Sequence, residues 1–242
     1  EALVSLMEAI QPAHMPYLFP EVFLKTNPGF DALVGNPPWE RPVMDKARFW
    51  AARNPGLLAM PVQSRDLEIL KFEESRPMDF QEYQRDLKSM EASREILRNR
   101  FDLGVGDTDL YKAFGWVALM LLSTGGKLGF VLPKTAFSAA GVEHWRRALQ
   151  AQGSIVELTY LVNSGQWVFN IEPRYSIALL VYSKGEFSDL KVSGPIYSKQ
   201  DFEELSSRPT VKISRDVLLT FTDAASIPPL GDQKTVDAII KM

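Results

Sequence analysis

Short apolar runs alternate along the chain with stretches in which apolar residues recur every three or four positions. FDALVG at 30–35, KLGFVLP at 127–133, IVELTYLV at 155–162 and YSIALLVYS at 175–183 are runs of the first kind and read as buried strands. Helical spacing predicts a helix over about 109–123, apolar on most faces and so heavily buried, and another over about 142–152 that ends near Gly153. Asp107 or Thr108 is the expected N-cap of the first helix, and Gly125 with Gly126 its expected stop. Such alternation predicts an α/β layer architecture around a mainly parallel sheet. The last two strands are joined by a short non-helical link, which predicts an antiparallel pairing at the end of the sheet.

The flanking segments differ in texture. Over residues 1–11, Leu3, Leu6, Met7 and Ile10 fall on one helical face, and Pro12, Pro16 and Pro20 then predict an extended, irregular lead-in. Residues 40–101 are rich in both charge signs with scattered aromatics. They read as a mostly helical insertion lying over the core, with Tyr83, Leu87, Met90, Ile96 and Leu97 on the inner side of a helix from Asp79 to Arg100. Residues 186–242 are more polar, and IPPLGDQKTVDAIIKM reads as a loop entering a new helix. The expected organisation is a lead-in over 1–29, a core over 30–185 containing the insertion, and a transition toward a further region over 186–242.

Composition narrows the chemistry. The 27 Lys and Arg residues against 30 Asp and Glu leave a net charge of -3, so nucleic-acid binding would need a local patch. Arg41, Lys46, Arg48, Arg53 and Arg65 form the one basic cluster that phosphates could use, although interleaved acids from Asp66 onward make a solvated helical face the simpler account of most of the insertion. The absence of cysteine excludes disulfides, zinc–thiolate sites and thiol nucleophiles and suits a reducing compartment. No apolar run reaches the ~18 residues a membrane span needs. His14 and His144 have no acidic or thiol partners at ligand spacing, so no metal site is expected.

The most informative segment is Asn36-Pro37-Pro38-Trp39, directly after the first strand. Ligands of open α/β sheets bind at the carboxyl ends of strands. Two prolines fix the backbone direction and remove two N–H donors, so the Asn36 side-chain oxygen and the Pro37 carbonyl form a rigid pair of acceptors. Trp39 adds a flat apolar surface. Such a site suits a planar substrate bearing an NH2 group.

This run resembles the (D/N/S)PP(Y/F/W) motif of the S-adenosylmethionine-dependent amino-methyltransferases, above all the adenine-specific DNA methyltransferases of large restriction-modification and phage-defence systems. LFPEVF ahead of GFDALVGNPPW, then DTDLYKAF, GGKLGFVLPKTAF, WVFNIEPRYSIALLVYS and SIPPLGDQKTVDAIIKM resemble further stretches of that family in order. The resemblance implies a Rossmann-like methyltransferase fold and methyl transfer from S-adenosyl-L-methionine to the 6-amino group of a flipped adenine in DNA, with no metal, in the cytoplasm of a bacterium or archaeon. By the same resemblance Asn36 and Pro37 would hold the amino hydrogens, Trp39 would stack on one face of the base and Phe169 would form the opposite wall. Asp109, Tyr111 and Phe114 would line the cofactor side. The tail would lead toward a target-recognition region.

The family's Gly-rich cofactor loop is not found before Phe30. FDLGVGD at 101–107 looks superficially like one, but it follows a charged helical tail rather than an apolar strand, so it reads as a plain glycine-bearing loop. The chain is therefore expected to be the carboxyl-side part of a catalytic domain within a longer polypeptide or complex, to bind the cofactor poorly by itself, and to leave a sheet edge and apolar surface exposed. The same chemistry on RNA or on a protein glutamine, and a non-catalytic scaffold or DNA-binding module, stay open as alternatives.

Overall fold

The computed structural model describes residues 13–104, 106–207, 210–220, 222 and 224–240. The helix expected over 1–11 lies outside them. Six strands form one sheet: β1 (Phe30–Gly35), β2 (Leu122–Pro133), β3 (Gly153–Val162), β4 (Ser176–Lys184), β5 (Leu190–Ile196) and β6 (Val211–Ile213). Their order is β1-β2-β4-β3-β5-β6. β1 pairs parallel with β2 and β3 with β5, whereas β4 runs antiparallel to both β2 and β3, and β6 antiparallel to β5. Four strands thus share one direction and two oppose it. The antiparallel partnership of β3 and β4 is as expected, but β4 sits inside the sheet between β2 and β3, while the antiparallel strand at the margin is β6. The short link after β3 can only return the chain alongside it, and the slot against β2 is open on that side.

The helices are α1 (Met15–Leu18), α2 (Pro20–Phe23), α3 (Lys46–Ala51), α4 (Val62–Ser75), α5 (Pro77–Arg100), α6 (Leu110–Leu121), α7 (Glu143–Gln152), α8 (Lys199–Glu203), α9 (Arg215–Thr220) and α10 (Gln233–Ile240). Pro16 and Pro20 do not enforce an extended lead-in. They stand in the first turns of α1 and α2, where a missing N–H costs nothing. Phe19 and Phe23 then pack edge-on against Phe30, fastening this lead-in to β1.

One face of the sheet carries the main core. Leu33, Leu128, Tyr182 and Ile155 share a register row on it, and Trp145 and Leu149 of α7 and Ala118 and Leu119 of α6 pack over it. Ile227, Leu230 and Val236 belong to the same core, so strands and helices after residue 186 build on the sheet rather than apart from it. The fully buried Arg146 joins this tail to the turn after β2. Its guanidinium donates to the carbonyls of Ala136, Ala139, Ala224 and Ala225 at 2.7–2.9 Å. On the opposite face the row Val34, Gly129, Val181 is open, and Val34 is 88% exposed at the edge strand. The fold is Rossmann-like α/β.

Three local expectations change. α6 is not buried all round: Tyr111, Ala113 and Leu119 face inward, but Phe114 and Met120 lie on a bare outer face because the helix packs on the sheet from one side only. It ends at Leu121, not at the glycines, and Lys184 of β4 donates to the carbonyls of Leu119 and Leu122 at 2.8 Å. Gly125, at φ +81°, instead serves a loop within the span of β2, where the pairing jumps from Phe30–Leu122 to Ala32–Lys127. The N-cap of α6 is Asp109, not Asp107 or Thr108.

Residues 40–101 are helical as expected and have a small core of their own, Phe49, Trp50, Leu57, Ile69 and Tyr83, with the Arg53 guanidinium 3.8 Å from the Phe49 ring centre. On α5 only Tyr83 is buried, and Ile96 points to solvent. Among the described residues no helix is long and apolar enough to cross a membrane.

Candidate active site

Residues 36–39 leave the carboxyl end of β1 at the same end of the sheet where β2 and β3 finish and β4 begins. Asn36 is exposed, Pro37 buried, Pro38 exposed and Trp39 half-buried. The Trp39 indole donates from Nε1 to the Val131 carbonyl of β2 at 3.3 Å, which holds the ring against the sheet end. Beneath it lie Leu161, Ile177 and Ile196. Asn36, Pro37, Pro38 and Trp39 line one cavity of about 350 Å³ together with Phe169, Asn170 and Ile171.

The second wall comes from the loop between β3 and β4. Gly165 at φ +78° and Gln166 at φ +59° turn it through the left-handed region, which glycine adopts freely and glutamine does not, and side chains hold it in place. Trp167 Nε1 donates to the Val162 carbonyl at 2.8 Å, and Gln166 Nε2 to the Ile171 carbonyl at 2.9 Å. Asn163, fully buried, makes three bonds. Its Oδ1 accepts from the backbone N–H groups of Val168 and Phe169 at 3.1 and 3.2 Å, and its Nδ2 donates to the Phe169 carbonyl at 2.9 Å. Little in the sequence points to Asn163. The one signal for it is an Asn-x-Gly turn directly after a strand.

The structure thus brings Phe169 to the Asn-Pro-Pro-Trp run across 130 residues of chain. It does not make the two aromatics parallel walls. Their ring centres are 6.2 Å apart and their planes 88° apart, an edge-to-face contact that leaves one face of one ring, not a slot between two.

Asp109, Tyr111 and Phe114 stand differently. Arg41 donates from Nε to Asp109 Oδ1 at 3.0 Å and pairs through Nη1 with Asp107 Oδ2 at 2.8 Å. Lys112 Nζ lies 3.9 Å from Asp109 Oδ2 and donates to the Asp107 carbonyl at 2.7 Å. With Leu110 N–H bonded to the Glu40 carbonyl at 3.0 Å, this network clamps the chain after Trp39 to the start of α6. Tyr111 is buried. That burial pushes its phenol up to about 12, against the opposing effect of a hydrogen bond with Thr135. Phe114 is 47% exposed. The remaining basic candidates are also engaged: Lys46 with Glu73, Arg48 with Asp45, Arg53 with Glu82 and Arg65 with Asp66.

A larger cavity, about 460 Å³, lies between Arg98, Phe101–Gly104 and Ala140, Glu143 and His144. Gly104, at φ +66°, sits so close to the next segment that a Cβ there would lie 2.5 Å from the Gly141 carbonyl oxygen. His144, without an acidic partner at ligand spacing in the sequence, gains one by folding: its Nδ1 is 2.6 Å from Asp102 Oδ2. Among the described residues no group of three His, Cys, Asp or Glu is arranged to hold a metal ion.

No protein-family model and no curated protein matches the chain. Solved structures resemble parts of it. A nuclease-deletion mutant of the Type ISP restriction-modification enzyme LlaGI, in complex with a DNA substrate mimic, is 13% identical, with 86% of this chain and 19% of that one covered and a TM-score of 0.42. The type I restriction-modification methyltransferase subunit from Streptococcus thermophilus is 18% identical over 55% of this chain and 33% of its own, with a TM-score of 0.39. The M protein of the type I restriction enzyme EcoKI is 16% identical over 48% and 24%, with a TM-score of 0.32. The chain spans a third or less of each of these three. What the site can do is read from its own residues.

Proposed function

We propose that the chain carries the acceptor side of an S-adenosyl-L-methionine-dependent methyltransferase acting on the 6-amino group of adenine in DNA, within a restriction-modification or phage-defence enzyme. The observation that carries this reading is the single cavity shared by Asn36, Pro37, Pro38 and Trp39 with Phe169. Its volume lies in the range of ~300–1,000 Å³ usual for small-molecule sites.

An exocyclic amine is a poor nucleophile because its lone pair is delocalised into the ring. Acceptors at the Asn36 Oδ1 and the Pro37 carbonyl engage both amino hydrogens, favour a pyramidal nitrogen and localise that lone pair. Because the prolines fix the backbone that carries both acceptors, the Pro37 carbonyl is oriented before the reaction, and only the Asn36 side chain has to settle on its hydrogen. Trp39 offers a face for the base, and Phe169 closes the side edge-on. A base in duplex DNA must first leave the stack to reach them.

S-adenosyl-L-methionine supplies an electrophilic methyl group in such chemistry. Among the described residues, most of those expected on the cofactor side are engaged elsewhere. Asp109 is ion-paired, Tyr111 is buried against Thr135, and Gly104 is consumed by backbone packing. Of the three expected contacts only Phe114 presents open surface. The cofactor's cradle is assigned to another part of the polypeptide or complex.

The test incubates the full protein with labelled S-adenosyl-L-methionine and DNA from a host lacking it. Methylated adenine is expected, and Asn36→Ala should lower transfer by about 10²–10³-fold, the scale of losing one preorganised charge-stabilising group. Transfer to RNA or protein but not DNA would move the substrate assignment. Undiminished transfer by Asn36→Ala would remove this site from the reaction.

A further inference from the structure

We infer that Asn163 is the positioning residue of the β3–β4 loop, setting Phe169 against Trp39. This rests on the proposed reading of the site. Asn163 stands at the first position after β3, is fully buried, and spends three of the four hydrogen bonds an amide can make on the backbone of Val168 and Phe169. Trp167 and Gln166 also brace the loop, but their bonds end on Val162 and Ile171. Asn163 alone among these three grips residue 169 itself, from both its N–H and its carbonyl.

The chemistry of the amide is what the place needs. It offers an acceptor and a donor on one rigid plane, so it can take two N–H groups and return one to a carbonyl a few ångströms away. Aspartate keeps the acceptor and loses the donor. Leucine keeps the volume and loses both, leaving the loop braced only at Val162 and Ile171, with no side-chain bond to residue 169. Phe169 would then sample positions away from Trp39, and the acceptor cavity would lose its closing wall.

The test is a transfer assay on the full protein with Asn163→Leu, Asn163→Asp, Phe169→Ala and the double variant Asn163→Leu/Phe169→Ala. Asn163→Leu should lower kcat/KM for DNA as much as Phe169→Ala does, up to about 10²-fold for a misplacement of this kind, with the KM for S-adenosyl-L-methionine unchanged. Asn163→Asp should fall between Asn163→Leu and the parent. The double variant should be no worse than Phe169→Ala alone, because the one residue acts through the other. Multiplying losses in the double variant, or parental transfer by Asn163→Leu, would overturn the inference.

A second measurement needs no activity. With 5-fluorotryptophan incorporated, the ¹⁹F signals of Trp39 and Trp167 should shift in Asn163→Leu, while Trp50, Trp116 and Trp145, which pack elsewhere, should not. Shifts at all five would mean a general folding role and would overturn the inference. If the parent transfers no methyl group to any substrate, the proposed function fails, and the Trp39 signal alone decides what Asn163 holds.

Discussion

The two cavities at opposite ends of the 41–109 excursion treat their polar groups in opposite ways. In the larger one, His144 is bonded to Asp102, the Asp102 carbonyl takes the Trp116 indole N–H at 2.8 Å, and Gly104 is pressed against the Gly141 carbonyl. Its motif-like residues are used up in joining one segment to another. In the smaller one, Asn36 has no hydrogen-bond partner among the described residues, and the polar groups that are spent, Asn163 and the Trp39 indole, lie behind the surface and hold it still. Size does not distinguish a site from a seam between segments. Whether its polar atoms remain on offer does.

Three substitutions would break or sharpen that contrast. The largest effect is expected from Gly104→Ala, which forces a Cβ into a carbonyl at positive φ. It should destabilise the protein by about 1–3 kcal/mol in denaturant melts, while transfer per folded molecule stays at the parental level. A loss of transfer beyond the loss of folded protein would make the larger cavity functional. Next, Trp39→Phe keeps an aromatic face and removes one hydrogen bond to Val131, at a cost of about 1 kcal/mol in stability and less than about tenfold in transfer. Abolished transfer would show that the indole N–H itself matters. The smallest effect belongs to Asp102→Asn. Both partners of that pair are more than half exposed, so stability should change by under about 1 kcal/mol and transfer not at all.

Much of the candidate site was legible because it is local. An apolar strand, two prolines and an aromatic ring sit within ten consecutive residues, 30–39, and no distant partner is needed to see a rigid pair of acceptors at a strand end. Phe169 could be named from its resemblance to a motif, but its edge-on angle to Trp39 could not, since the angle is set by Asn163 and by packing on Leu161 and Ile177. Asp109 shows what a local view leaves out. In sequence it is a free carboxylate before a helix. In the fold its partner is Arg41, 68 positions away. Phe114 and Met120 show a third limit, because an all-apolar helix announces burial without saying how many of its faces have neighbours.

By itself the sequence determined four of the six strands, the two helices that pack on the sheet, the helical character of residues 40–101, and a candidate pair of acceptors after the first strand. These depend on side-chain periodicity and on proline geometry, which act within a few residues. The tertiary structure decided the slot of β4 in the sheet, the open outer face of α6, and which polar groups are spent and which stay available. Those outcomes turn on hydrogen bonds and packing between residues dozens of positions apart. A buried donor or acceptor must find a partner, and only the folded chain determines which one is within reach.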